Sequence, residues 1–252
     1  MDVEGRVGIV TGAGAGIGRA IAERLAREGS EVVVADIDEP GAMETIRRIR
    51  SARGRAQFVR SDLGRAADVR RMVGFAVETY GGLDVLINNA GFAIDPSFPR
   101  AEYEAWRRLL DVNLVGLMHA TQLAIEAMRG RGDGVIVNVS SVAGLGLMPY
   151  DSPDYAASKA AIVRLTACLA WLREKDGIRV NAICPDWVAT EAVVARRASM
   201  SEQEWRARGA PKVLVPLEAV ADAVITLIED ESLAGRVMNC PCGEPWGLLP
   251  QE

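Results

Sequence analysis

The sequence predicts an α/β fold, a doubly wound parallel sheet of about seven strands with helices on both faces, and three observations lead there. Seven short runs rich in β-branched residues recur along the chain, amphipathic stretches of helical length separate most of them, and the first run leads directly into a glycine-rich loop. Parallel neighbours need a crossover, usually helical, so this alternation favours a doubly wound sheet over a sandwich or a bundle.

The elements follow in order. Val7, Ile9 and Val10 mark the first strand (7–10), and Val32, Val33 and Val34 the second (32–35), with a helix expected over 16–28 between them. Phe58 and Val59 mark a third strand (57–59) after a helix at 42–53, and Val85, Leu86 and Ile87 a fourth (84–87) after a helix at 66–80. A long helix at 103–129 leads to the Val-rich fifth strand (135–139), and an Ala-rich helix at 156–171 leads to the sixth (179–184). The seventh strand is expected at 236–239. No repeat, low-complexity tract or linker interrupts the pattern, so the 252 residues are expected to form a single domain.

Composition narrows the function. Hydrophobic residues make up 49% and charged residues 25%, as in an ordinary globular chain. The net charge is −5 and no long block of one sign occurs, which argues against nucleic acid as a partner. No apolar run reaches the ~18 residues of a membrane span, and the glycine loop begins by Gly12, leaving no room for a signal peptide; a cytoplasmic address is expected. The four cysteines (Cys168, Cys184, Cys240, Cys242) and the single histidine, His119, give no metal-ligand spacing, so reduced thiols and no metal are expected.

After the first strand stands Thr11-Gly12-Ala13-Gly14-Ala15-Gly16-Ile17-Gly18, followed at once by a helix pattern. In that setting glycines let backbone amides approach a pyrophosphate at a helix N-terminus. The string does not match the general G-x-G-x-x-G spacing, whose third glycine would fall on Ile17 or Arg19; it matches T-G-x-x-x-G-x-G. Asp36 closes the second strand where a carboxylate would bind an adenosine ribose, which argues for NAD as cofactor.

This loop resembles that of the short-chain dehydrogenase/reductase family, built on a Rossmann-type fold, and the resemblance spans residues 7–190. It implies cofactor contacts at Thr11, Gly12, Ala15, Gly16, Ile17, Gly18 and Asp36. Positions that carry a base in NADP-preferring relatives are Ala15 and Ile37 here. It further implies an adenine contact at Asp62-Leu63, with an N-cap as the rival reading of Asp62, and a cofactor-side turn at Asn89-Ala90-Gly91. Nicotinamide contacts are implied around Pro185, Val188 and Thr190.

Tyr155 and Lys159 form Y-x-x-x-K, which a helix puts on one face. Hydride loss from an alcohol requires removal of the hydroxyl proton, and a free phenol at ~10 is too weak an acid to cycle near neutral pH. The Lys159 ammonium and an oxidised nicotinamide are expected to lower it, as is a helix N-terminus capped by Ser152 and started by Pro153. Ser141 supplies a donor for the developing oxyanion. Asn113 resembles the family's fourth residue, which holds a water and relays protons toward the lysine. The expected activity is therefore NAD-dependent hydride transfer between a small secondary alcohol and its ketone. An NADPH-linked 3-oxoacyl reductase and a non-enzymatic NAD-binding sensor or scaffold are the alternatives, and the family implies a homo-oligomer, tetramer or dimer.

Three departures stand out. Asp186 replaces the glycine usual after Pro185, and near the nicotinamide it would favour NAD+. Ser141 and Tyr155 are one position further apart than is common, which keeps Ser140 in view. The ending Cys240-Pro241-Cys242 is unusual and suits a subunit contact or a pocket wall. Residues 190–212, charged and helical in character, are expected to form a lid over the substrate.

Overall fold

The β-branched runs become the strands of one sheet because their alternate residues satisfy two separate cores. A computed structural model describes residues 1–250, apart from the side chain of Ala207. Strands β1 (Val7–Thr11), β2 (Glu31–Asp36), β3 (Arg55–Arg60), β4 (Val85–Asn88), β5 (Gly134–Val139), β6 (Ile178–Pro185), β7 (Val237–Cys240) and β8 (Gly247–Leu248) lie in the order β3-β2-β1-β4-β5-β6-β7-β8. The first seven are parallel, and β8 adds antiparallel to β7.

Between and after the strands run α1 (Gly16–Arg27), α2 (Glu39–Ser51), α3 (Ala66–Tyr80), α4 (Tyr103–Leu110), α5 (Leu117–Met128), α6 (Pro153–Cys168), α7 (Leu172–Asp176), α8 (Glu191–Ala198), α9 (Glu202–Ala207) and α10 (Leu217–Glu229). Val10, Val34, Ile87 and Val137 join one core with Ile21 and Leu25 of α1, Ile46 of α2 and Val224 of α10. Their neighbours Ile9, Val33, Leu86 and Ile136 turn to the other face, against Met72 of α3 and Ala124 of α5. Burying each such aliphatic side chain contributes about 1.5–3 kcal/mol.

Two polar devices lock this arrangement. Asn88 and Asn138, level on β4 and β5, join side chain to side chain at 2.9 Å. Asn88 also donates to Thr121 of α5, and Asn138 to Thr166 of α6, giving a buried ladder across four elements. On β6, the buried Arg179 guanidinium donates to the carbonyls of Leu227, Ile228 and Asp230, closing the C-terminus of α10.

The strand order reverses between β1 and β4, and the crevice beyond that point is where open α/β sheets bind ligands. Three elements differ from the expectations. β8, only two residues long, carries no β-branched signal. The helix expected at 103–129 is broken by one π turn, Asp111–Gly116. The Ala-rich helix starts at Pro153, as its fixed φ leads one to expect, but ends at Cys168 rather than Trp171, before the chain turns into α7.

Candidate active site

The β1–α1 loop is held by bonds that cross the switch point. Thr11 Oγ1 donates to Ile87 O at 3.2 Å and accepts the N–H groups of Asn89 at 2.9 Å and Ala90 at 3.0 Å. Asn89 Nδ2 returns to Thr11 O at 2.9 Å and Gly12 O at 3.2 Å. Gly12 takes a φ of +65°, and a Cβ on Gly18 would stand 2.1 Å from Gly12 O. The last glycine thus lets α1 start against the loop's own backbone.

Ala15 is the exposed N-cap, Ile17 packs on the core, and Gly16 opens α1. The Gly16 N–H donates to Glu191 Oε2 at 3.2 Å, while Arg19 Nη1 meets Glu191 Oε1 at 3.0 Å. Asp36 accepts Gly14 N–H at 2.7 Å and Asp38 N–H at 2.9 Å. Gly14, an unassigned position in the motif, leaves room for that carboxylate, since its Cβ would come 2.9 Å from Asp36 Oδ2. Ile37 is exposed beside it. A dinucleotide fits these residues: amides at a helix start that already hold an anion, and a carboxylate fixed at the end of β2.

Asp62 is engaged by Arg108 Nη2 at 2.5 Å and by Gly64 N–H at 3.0 Å. The N-cap of α3 is Arg65, so capping by Asp62 is replaced by a local turn closed on Gly64. Leu63 is buried beneath the π turn, where a Cβ on Gly116 would stand 2.3 Å from Leu63 O. That close approach accompanies the widened turn carrying Asn113.

At the other end of the crevice, α6 lifts Tyr155 and Lys159 beside the end of β5. Lys159 Nζ lies 5.5 Å from the Tyr155 ring centroid and donates to Val139 O at 2.9 Å. The Ser141 side chain is hydrogen-bonded to Tyr155 and also accepts Ala143 N–H at 3.2 Å. Ser140 instead donates to Lys159 O at 2.7 Å. Gly144 allows the longer Ser141–Tyr155 connection to lie against α6, where a Cβ would be 2.5 Å from the Lys159 carbonyl carbon.

Burial governs the charges here. It pushes the Tyr155 phenol up to about 12, with the Ser141 hydrogen bond pulling the other way. It brings the Lys159 ammonium down to about 8. The lowering expected from Lys159, an oxidised nicotinamide and the helix start together does not show in the protein alone, where burial holds the phenol above its ordinary value. Ser152 occupies the cap position without a side-chain bond, so the cap expected there is also corrected; Asp154 takes the Tyr155 N–H at 2.9 Å and the Phe98 N–H at 3.3 Å.

Asn113 is fully buried and clamps Phe92, accepting its N–H at 3.0 Å and donating to its carbonyl at 2.8 Å. Gly91 separates it from Lys159: a Cβ there would meet Asn113 Oδ1 at 3.2 Å and Lys159 Nζ at 3.5 Å. Pro185 ends β6 beside Cys240, Val188 bridges to Val215, and Thr190 caps α8 with its methyl toward Gly16. Asp186 accepts Cys242 N–H at 3.2 Å, Cys242 Sγ donates to Trp187 O at 3.6 Å, and Trp246 Nε1 donates to Pro241 O. The Cys240-Pro241-Cys242 ending thus closes an internal loop, and the four thiols are free.

Several contributors carry no signal that singles them out in the sequence. Gly14 and Glu191 lie outside the motif positions, Tyr150 stacks on Tyr155 with ring centroids 6.4 Å apart, and Cys184 is buried beneath the pair. Only the doubled glycine spacing points toward Gly14. Among the described residues, no group of three or more His, Cys, Asp and Glu is placed to hold a metal, and no helix is long and apolar enough to cross a membrane.

The family model for short chain dehydrogenase matches residues 6–201. An uncharacterized oxidoreductase of Thermotoga maritima is 37% identical over 250 residues, 96% of this chain and 98% of the relative. A solved 7α-hydroxysteroid dehydrogenase complexed with NADH and 7-oxo glycochenodeoxycholic acid superposes with a TM-score of 0.86 at 30% identity, over 96% of this chain and 94% of that one. A solved actinorhodin polyketide ketoreductase variant with NADPH gives 0.84 at 32% identity, over 94% of this chain and 96% of that one.

Proposed function

Because the chain belongs to the short chain dehydrogenase family, we propose that it is an NAD-dependent oxidoreductase that interconverts a small secondary alcohol and its ketone. The observation that carries this reading is the convergence of Ser141, Tyr155 and Lys159 at the end of β5. The bound nicotinamide supplies or accepts the hydride and, when oxidised, adds positive charge. In the reductive direction Tyr155 Oη gives its proton to the forming alkoxide, and in the oxidative direction it takes the hydroxyl proton. Ser141 donates to the same substrate oxygen as charge grows there. Lys159 stabilises the phenolate, and Asn113, through Phe92 and Gly91, positions the backbone behind the lysine amine.

Asp36 supports NAD over NADP, since a 2′-phosphate would meet its negative charge and Ala15 and Ile37 offer no compensating base. The cofactor contacts at the loop, at Asp62 and at Pro185, Val188 and Thr190 belong to the same reading. The likeness to a ketoreductase solved with NADPH favours a second reading, an NADPH-linked reductase. Titration with NAD+ and NADP+ separates the two: at least tenfold tighter NAD+ supports the first, and the reverse order supports the second. A screen of secondary alcohols read by NADH absorbance then tests the activity. Tyr155→Phe should lower turnover by about 10²–10⁴-fold and keep nucleotide binding; a binding-only protein turns over nothing in either form.

The chain is proposed to act as one domain, with residues 190–212 as its lid, in the cytoplasm, and as a homodimer or tetramer. A groove of about 300 Å³ along α5 and the end of α6, where Met118, Ile125, Leu165, Leu169 and Trp171 are interspersed with Gln122, Glu126 and Arg129, supports a helix-to-helix contact between copies. Light scattering of the purified protein tests this.

A further inference from the structure

The first amide of α1 is bonded within the chain itself. Gly16 N–H donates to Glu191 Oε2 at 3.2 Å, and Arg19 Nη1 meets Glu191 Oε1 at 3.0 Å. The first turn of α1 has no acidic residue of its own, so the carboxylate at its positive end comes from the first residue of α8. Thr190 seats the same junction independently, since a Cβ on Gly16 would come within 3.1 Å of Thr190 Cγ2.

Resting on the dinucleotide reading, we propose that Glu191 sets cofactor affinity by competing with the cofactor's phosphate for the Gly16 N–H, so that nucleotide binding releases the start of α8. A phosphate and a carboxylate cannot share one donor without like-charge repulsion. The Glu191 side chain is 60% exposed, so it can leave the amide and keep its charge hydrated. Arg19 stays behind, because its Nε is held by Thr45 Oγ1 at 3.1 Å and its Nη2 by Gly14 O. The other nearby carboxylate, Asp36, is bound to Gly14 N–H and takes no part in the exchange. Nucleotide entry is in this way tied to the mobility of the segment over the substrate side.

Calorimetric titration of the whole protein with ADP and with adenosine, using wild type, Glu191→Gln and Glu191→Ala, tests the competition. ADP should bind roughly three- to tenfold tighter to both variants, the range expected for removing a rim carboxylate from a helix start and an arginine. Adenosine, which has no phosphate, should bind all three alike. Hydrogen exchange over 190–198 should rise on ADP addition in the wild type and be high from the outset in the variants. Equal or weaker ADP binding by the variants, or an equal gain for adenosine, overturns the competition and leaves the dinucleotide reading standing. Failure of ADP to bind any of the three overturns both.

Discussion

The two ends of the crevice are built by different physics. At the β1–α1 end the decisive feature is the absence of side chains: a Cβ on Gly18 would collide with Gly12 O at 2.1 Å, and one on Gly12 with Ala90 Cα at 2.9 Å. At the β5–α6 end it is the presence of ionisable side chains where water is scarce, with Tyr155 raised to about 12 and Lys159 lowered to about 8. The first end is specified by steric fit and stays stable; the second holds charge against its environment, which costs stability. Binding and chemistry should therefore be separable by mutation.

The sharpest separation is Tyr155→Phe, expected to lower turnover by about 10²–10⁴-fold while ADP affinity and melting temperature hold. A parallel loss of ADP binding would break the comparison. Next comes Gly18→Ala, where the clash is with backbone that cannot swing away. It should destabilise the chain by about 3 kcal/mol in urea melts and lose ADP binding, and a neutral result would refute the steric account.

Lys159→Met tests the other end, with an expected gain in stability of about 1–3 kcal/mol at pH 7 and loss of activity. The sign follows from the lowered lysine value: between about 8 and the ordinary 10.5, the unfolded chain binds more protons than the folded one, so wild-type stability rises with pH. The variant lacks that titration, and its advantage should shrink by about 2 kcal/mol by pH 10. Above pH 10 the raised Tyr155 acts oppositely, since its folded form keeps a proton that the unfolded chain gives up, and a rise in pH then lowers stability. An advantage independent of pH would show that Lys159 is not the strained group. The smallest effect is expected at Gly74, inside α3, where an added Cβ would meet no atom closer than 4.0 Å; Gly74→Ala should add up to about 1 kcal/mol in urea melts.

The same contrast explains what could be read from sequence. Glycine spacing, the β-branched runs and Asp36 are local signals, and they lead to the sheet, the β1–α1 loop and the Tyr155–Lys159 pair. The phenol's upward shift is invisible there because burial depends on how Tyr150 and the 141–154 connection fold over it. Asp186 also accepts Cys242 N–H, a bond across 56 positions that no spacing reveals. The π turn under Asn113 is hidden because it depends on the approach of Gly116 to Leu63 O, a contact between distant segments. Glu191 and Gly16, 175 positions apart, meet for the same kind of reason.

The ladder from Thr121 through Asn88 and Asn138 to Thr166 has a consequence for accuracy at the site. Slipping β4 by a single residue against β5 would swing one amide to the opposite face and strand its hydrogen-bonding atoms in hydrocarbon, at about 1–3 kcal/mol for each. The ladder therefore acts as a detent. Asn89 lies one step past it and Ser140 two, so both are indexed to a common reference, and the turn that ties down the glycine loop and the serine turn that faces the phenol keep their relative phase through thermal motion.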